Sequence, residues 1–184
     1  MNPMALIIID MQQGIQDLAQ RQRNNPSALS RIGALLATWR EANAPVAHVR
    51  HISRDDDSVF APGQPGCVFH PAVAPRRDEA VFEKNVTDAF LHTGLERWLR
   101  VRGIQRLVIV GVATENSVES TARTASNLGF DTLVVEDACF TYAKADHAGR
   151  LRTAEEVHDM ALANLAQEFA RVVDTDMLLG EARV

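Results

Sequence analysis

Apolar residues along this chain alternate between two patterns: short, continuous β-branched runs and longer stretches with helical spacing. Leu107–Val110 reads as a buried parallel strand, and Ala5–Ile9, Pro45–Val49, Ala80–Phe82 and Thr132–Val135 read as further short strands. Arg171–Asp174 reads as a last edge strand. Between them lie helical stripes. Asn25-Pro26 predicts a helix start, Asn as cap and Pro at the first helical position, followed by Leu29, Ile32, Leu35, Leu36 and Trp39 on one face. Thr87–Arg102 is predicted helical, with Phe90, Leu91, Leu95, Trp98 and Leu99 inward and Gly103 as terminator. Ser117 onward has helical spacing through Val118, Thr121, Ala122 and Ala125, closed by Gly129. Thr153-Ala-Glu-Glu156 opens the last long helix as a capping box, with Val157, Met160, Leu162 and Leu165 as its apolar positions. Strands alternating with helices imply an α/β fold, a parallel sheet with right-handed crossovers covered on both faces.

Length and composition narrow this picture without changing it. At 184 residues the chain is expected to form one domain, 1–184, with no linker, repeat or low-complexity tract. A net charge of -5 with no basic stripe gives no support for nucleic-acid binding. The apolar runs are too short for a membrane span, and no signal-peptide pattern is visible, so a cytoplasmic protein is expected. Cys67 and Cys139 are too few for a disulfide framework or a zinc knuckle. Ser53–Arg77 is a long irregular stretch, the kind that serves as a lid or interaction surface.

Chemistry concentrates at strand ends. Asp10 closes the first strand, Lys84 follows the third, and Ser117 follows Leu107–Val110 across the turn Gly111–Asn116. A parallel sheet gathers such ends at one edge, where open α/β sheets place their ligands. Ser117 at a helix start would face unpaired backbone N–H groups and the positive end of the helix dipole. An ordinary βα unit whose Ser117 only caps a helix fits that stretch equally well. Taken singly, Lys84 fits a solvated surface lysine and Asp10 a turn residue.

The run Gly111-Val112-Ala113-Thr114-Glu115-Asn116-Ser117-Val118-Glu119-Ser120-Thr121-Ala122 resembles the nucleophile motif of the isochorismatase-like cysteine hydrolases, roughly Gly-Val-x-Thr-x-x-Cys-Val-x-x-Thr-Ala. Every fixed position matches except the cysteine, which falls on Ser117. Asp10 after an Ile-rich strand, Lys84 before Phe90, Thr93 and Leu95, Asp137-Ala138, and the Glu155–His158 helix extend the likeness over nearly the whole chain. The resemblance implies a three-layer Rossmann-like fold with a six-stranded parallel sheet flanked by helices. It also implies a Cys-Asp-Lys triad, here Ser117, Asp10 and Lys84, that cleaves small-molecule C–N bonds through an acyl-enzyme. The turn Ala113, Thr114, Ser117 would supply the oxyanion donors, foremost the Thr114 and Ser117 amides, and a cis peptide is expected at Ala113–Thr114.

Serine weakens that scheme, because an alkoxide is far less accessible than a thiolate and a carboxylate is a poor base for a hydroxyl. Three readings accommodate it. Ser117 is a deliberate Cys→Ser replacement giving an inactive form, a natural serine in a divergent hydrolase, or the mark of a binding protein without catalysis; the intactness of every other motif position favours the first. Nicotinamidase-like members carry an Asp-x-His metal site after the second strand, but that place reads Arg50-His51-Ile52-Ser53, so no metal and no cofactor are expected. Isochorismatases proper lack the cysteine and open a vinyl ether, which makes ether hydrolysis the alternative chemistry. A small amide, ureido or lactam compound is the expected substrate, with Phe60 in the long loop and Tyr142 after the Asp137–Cys139 strand end as candidate contacts. The resemblance, together with Val59, Phe60, Val68 and Phe69 in that loop, predicts a homo-oligomer, a dimer or an assembly of dimers.

Overall fold

The computed structural model describes residues 4–17 and 22–181. Six strands form one parallel sheet: β1 (Met4–Ile9), β2 (Val46–His51), β3 (Ala80–Lys84), β4 (Arg106–Val112), β5 (Asp131–Phe140) and β8 (Arg171–Val173), in the order β3-β2-β1-β4-β5-β8. Between β5 and β8 a small antiparallel hairpin pairs β6 (Lys144–Ala145) with β7 (Leu151–Arg152). The helices are α1 (Gly14–Asp17), α2 (Ala28–Glu41), α3 (Leu95–Val101), α4 (Glu119–Asn127), α5 (Ala154–Glu168) and α6 (Thr175–Glu181).

The continuous apolar runs are explained by two cores, one on each face of the sheet. Leu6 and Ile8 of β1, with Val108 and Val110 of β4, pack against Ile32, Leu35, Leu36 and Trp39 of α2 and Leu178 of α6. Ala5, Ile7 and Ile9, with Leu107 and Ile109, face Leu95 and Leu99 of α3, Ala122 and Ala125 of α4, and Leu162 and Leu165 of α5. A strand buried on both sides has no polar phase, hence the unbroken hydrophobicity. The fold is the expected three-layer, six-stranded α/β sandwich.

Several local expectations are corrected. Thr87–Gly94 is not helical; α3 starts at Leu95, and Leu91 is 51% exposed. There Asp88 accepts from the Phe90 amide and Thr93 from the Leu95 amide, local bonds that compete with a helical ladder. Asn25 does not cap α2, whose N-cap is Ser27. Its backbone is left-handed (φ 45°) and its side-chain amide donates to the carbonyls of Glu136 and Cys139 instead. β5 runs on to Phe140, because a register shift against Ile109 and Gly111 absorbs the polar Glu136-Asp137 pair. The buried stripe of α5 is Ala154, His158, Ala161, Leu162 and Leu165, whereas Met160 is 64% exposed. Thr153 and Glu156 do form the capping box.

One glycine is demanded by the fold. Gly111 has φ +124°, and a Cβ there would lie 2.1 Å from the Ile9 carbonyl oxygen, so only a residue without a side chain lets β4 run this close to β1.

Candidate active site

The strand order reverses direction between β1 and β4, and the crevice beyond their C-terminal ends is where such sheets bind ligands. Asp10 leaves β1 there in a left-handed conformation (φ 54°), its amide still held by the Val49 carbonyl at 2.9 Å. Lys84 comes from β3, two strands away, a span of roughly 10 Å that a long side chain can cross. Its ammonium donates to Asp10 Oδ2 at 2.6 Å and to Ser117 Oγ at 3.2 Å. All three residues are buried. Asp10 Oδ1 is buried with no partner. The structure thus brings the three predicted residues together with one carboxylate oxygen open to take a proton. A hydroxyl that accepts from an ammonium turns its own hydrogen elsewhere and is more easily ionised.

The turn carrying Ser117 differs from expectation in two respects. The cis peptide lies at Val112–Ala113, not at Ala113–Thr114. The helix opens at Thr114, not at Ser117, with a π-type turn, Thr114–Val118, preceding α4. In it the Ala113 carbonyl accepts from the Asn116 amide at 3.0 Å and the Val118 amide at 3.2 Å. An α-turn would use the Ser117 amide for that bond, so the wider turn takes its partner away. Thr114 is fully buried and turned from the cavity, while Ala113 and Ser117 line it. Of the three turn residues expected to bear oxyanion donors, Ala113 and Ser117 border the cavity and Thr114 does not.

A cavity of about 340 Å³ opens over these groups. Phe60 and Tyr142, the two expected contacts, both line it, together with Ile15 on the apolar side. Phe60 is partly buried, edge-on to the His51 ring at 6.2 Å, and Phe69 packs on His48, so the long loop turns both rings inward and leaves Val59 and Val68 exposed. Short helical turns at Pro65–Cys67 and Pro71–Val73 order that loop.

Three cavity residues escape the sequence reading. Gln12, fully buried, donates to the carbonyls of His51 and Cys67 and accepts from the His51 amide at 2.7 Å, tying the ends of β1 and β2 to the loop. His51 at the end of β2 faces the site; its strand-end position was the available signal. Glu115 is held by Thr141 and by Lys144 at 2.9 Å, linking the π-type turn to the hairpin. Among the described residues no group of three His, Cys, Asp or Glu is arranged to hold a metal.

His48, His51 and His158 all have pKa values lowered, in each case chiefly by burial, with the Lys84 ammonium adding to the effect on His51. They take up protons at lower pH in the folded chain than in the unfolded one, so acid favours unfolding from about 6.5 downward. Glu79 acts in the same direction at lower pH. Burial alone would raise it, but hydrogen bonds from Arg40, the Arg76 amide and His48 bring it to about 2 from 4.5. That stabilisation is present above 4.5 and is lost as the pH falls towards 2. The urea midpoint is therefore expected to drop between pH 7.5 and 5.5 and again below 4.5; a flat profile would contradict these assignments.

Neither cysteine borders the cavity over Ser117. Cys139 is wholly buried among the α4 and α5 side of the core, its thiol pushed up to about 12 by burial. Cys67 is raised by burial as well, and its Sγ lies 2.9 Å from the carbonyl oxygens of Phe60 and Ala61. A thiol must ionise to attack, and both sites oppose that.

The parallel α/β sheet thus carries a buried Asp–Lys pair and a hydroxyl on a helix-opening turn at its switch point. The chain belongs to the isochorismatase family of hydrolases: residues 4–177 match the isochorismatase domain. It is 46% identical to an isochorismatase-family protein of Chromobacterium violaceum whose crystal structure superposes with a TM-score of 0.94, over 98% of this chain and 93% of that one. The isochorismatase family protein YrdC of Bacillus subtilis is 34% identical over 177 residues, 96% of this chain and 95% of its own length. Nicotinamidase 3 of Arabidopsis thaliana is 30% identical over 188 aligned residues, covering 95% of this chain and 86% of its own.

Proposed function

We propose that this protein is built to hydrolyse a C–N bond of a small amide, ureido or lactam compound, with Ser117 in the place of the nucleophile. The observation that carries this reading is the Lys84 ammonium, which bridges Asp10 and Ser117 inside a cavity while Asp10 Oδ1 stays unpaired. In the acylation step Oγ of Ser117 attacks the carbonyl carbon as its proton passes to Asp10 Oδ1. The oxyanion that forms accepts from the amides of Ala113 and Ser117. Asp10 then gives the proton to the leaving nitrogen as the C–N bond breaks, and water cleaves the resulting ester. Lys84 holds the Asp10 side chain in place through both transfers.

Ile15, Phe60 and Tyr142 give the cavity an apolar wall, and about 340 Å³ suits a compact molecule. The nicotinamidase among its relatives points the same way, towards amides. Vinyl-ether hydrolysis by acid catalysis from Asp10 is the second reading; it is favoured by the absence of a thiol at position 117. A thermal-shift screen over small carboxamides, ureido acids, lactams and vinyl ethers separates the two: stabilisation and turnover confined to vinyl ethers would overturn the amide reading. The same reading includes a homo-oligomer, with exposed Val59 and Val68, or Leu151 and Met160, as apolar surface to cover. Light scattering that gave a monomer at micromolar concentration would count against it.

A further inference from the structure

The turn between Ala113 and Ser117 is braced from behind by a histidine that the proposed reaction does not use. Thr114 is fully buried, and its Oγ1 lies 2.8 Å from Nδ1 of His158 on α5. His158 is itself buried, falling in the inward stripe of α5 between Ala154 and Ala161. The far side of its ring meets the end of β5. Nε2 is 3.5 Å from the Asn25 side-chain nitrogen, whose two hydrogens go to the carbonyls of Glu136 at 2.8 Å and Cys139 at 2.7 Å. Asn25 has no hydrogen left to give to Nε2, so Nε2 carries the ring proton. Nδ1 is then the acceptor, and the Thr114 hydroxyl is the donor to it.

We infer that His158 is a positioning residue: by accepting the Thr114 hydroxyl it fixes the segment whose two flanking amides, Ala113 and Ser117, receive the oxyanion. This rests on the hydrolase reading given above. Four observations support it independently of any single distance. The ring lies between Thr114 and the Asn25 side chain, which is itself tied to β5. Asn25 spends its side chain on the same β5 carbonyls, at the cost of capping α2. Burial keeps the imidazole neutral despite the nearby carboxylates of Glu115, Glu155 and Asp159, which preserves Nδ1 as an acceptor. And the π-type turn lacks the α-helical ladder that would otherwise hold Ser117 rigid, so a bond from outside is needed to do so. A donor displaced by even about 1 Å from a developing oxyanion costs on the order of 10²-fold in rate.

The test uses the full chain carrying Ser117→Cys and p-nitrophenyl acetate as an acyl probe, read by release of p-nitrophenolate. Adding His158→Ala is expected to lower kcat at least about tenfold with little change in KM, because the donors act on the oxyanion and not on the bound ester. His158→Asn, whose side-chain oxygen can accept from Thr114, should recover much of that loss. Thr114→Val removes the same hydrogen bond at nearly constant volume and should match His158→Ala; it also replaces that variant if the latter does not fold. The two changes combined should cost no more than either alone. Unchanged kcat in a folded His158→Ala protein, or full additivity with Thr114→Val, overturns the inference while leaving the hydrolase reading intact. If the Ser117→Cys parent itself releases no p-nitrophenolate, the hydrolase reading fails and the inference falls with it. Ring ¹⁵N spectra give a readout free of activity: an unprotonated Nδ1 at neutral pH is required, and a protonated one contradicts the arrangement.

Discussion

Ser117→Cys should raise hydrolysis of a small amide by about 10²-fold or more, with little change in ligand affinity. Everything a thiolate requires is already in place. The Lys84 ammonium lies 3.2 Å from Oγ, the residue sits in the first turn of a helix, and the Ser117 amide has lost its α-helical acceptor. A cationic neighbour and a helix N-terminus lower a thiol's pKa from its usual ~8.5 into the neutral range, where a serine hydroxyl remains fully protonated. The change exchanges one atom and adds little volume to a position that is 6% exposed, so the cavity keeps its shape. Iodoacetamide gives a parallel measurement. Buried Cys67 and Cys139 should react slowly, and the variant should gain one fast-reacting group. If Ser117→Cys shows no gain on any amide, ureido acid or lactam that the parent binds, the amide reading is wrong. Vinyl-ether hydrolysis or binding without catalysis then takes its place.

Lys84→Met is expected to abolish activity in the Ser117→Cys background and to destabilise the chain by about 3–5 kcal/mol. Lys84 is 3% exposed and Asp10 8%, so removing the ammonium strands a buried carboxylate with no partner on either oxygen. Asp10→Asn alone leaves the buried ammonium without its counter-charge, with only neutral acceptors such as Ser117 Oγ. The double variant Asp10→Asn, Lys84→Met should regain most of the lost stability, because replacing both members of a buried ion pair is close to neutral, and it should remain inactive. Urea denaturation of the four proteins measures this directly. A Lys84→Met protein as stable as its parent would mean that the pair is not buried as described. The comparison separates a pair kept for its chemistry from one kept for folding, since only activity should fail to return.

Much of the site could be read in the sequence because parallel sheets obey a simple rule. Asp10 and Lys84 each stand at the end of a short apolar strand, Ser117 follows another across its turn, and the rule puts such ends at one edge. What the rule omits is which ends meet. β3 lies at the edge of the sheet and β1 at its centre, so it takes the length of a lysine to reach Asp10; an aspartate at position 84 could not. Strand order is a pairing of segments far apart in the chain, and hydrophobic periodicity carries no information about it.

The sequence by itself determined the alternation of strands and helices, the unbroken burial of β1 and β4, the capping box at Thr153 and the family motif around Ser117. These depend on spacing within one segment, which is local and survives in a linear reading. Tertiary structure alone decided the rest. Asn25 gave up its cap to bond β5, and Thr87–Gly94 gave up a helix to its own side-chain bonds. The π-type turn opened three residues before Ser117 and moved the candidate oxyanion donor from Thr114 to Ala113. His158, in sequence only a polar residue near an apolar stripe, became a buried partner of Thr114, because α5 crosses behind the turn when both pack on the same face of the sheet. A polar group is forced into such a pairing by the cost of burying it unsatisfied, and that cost arises only once distant segments have closed around it.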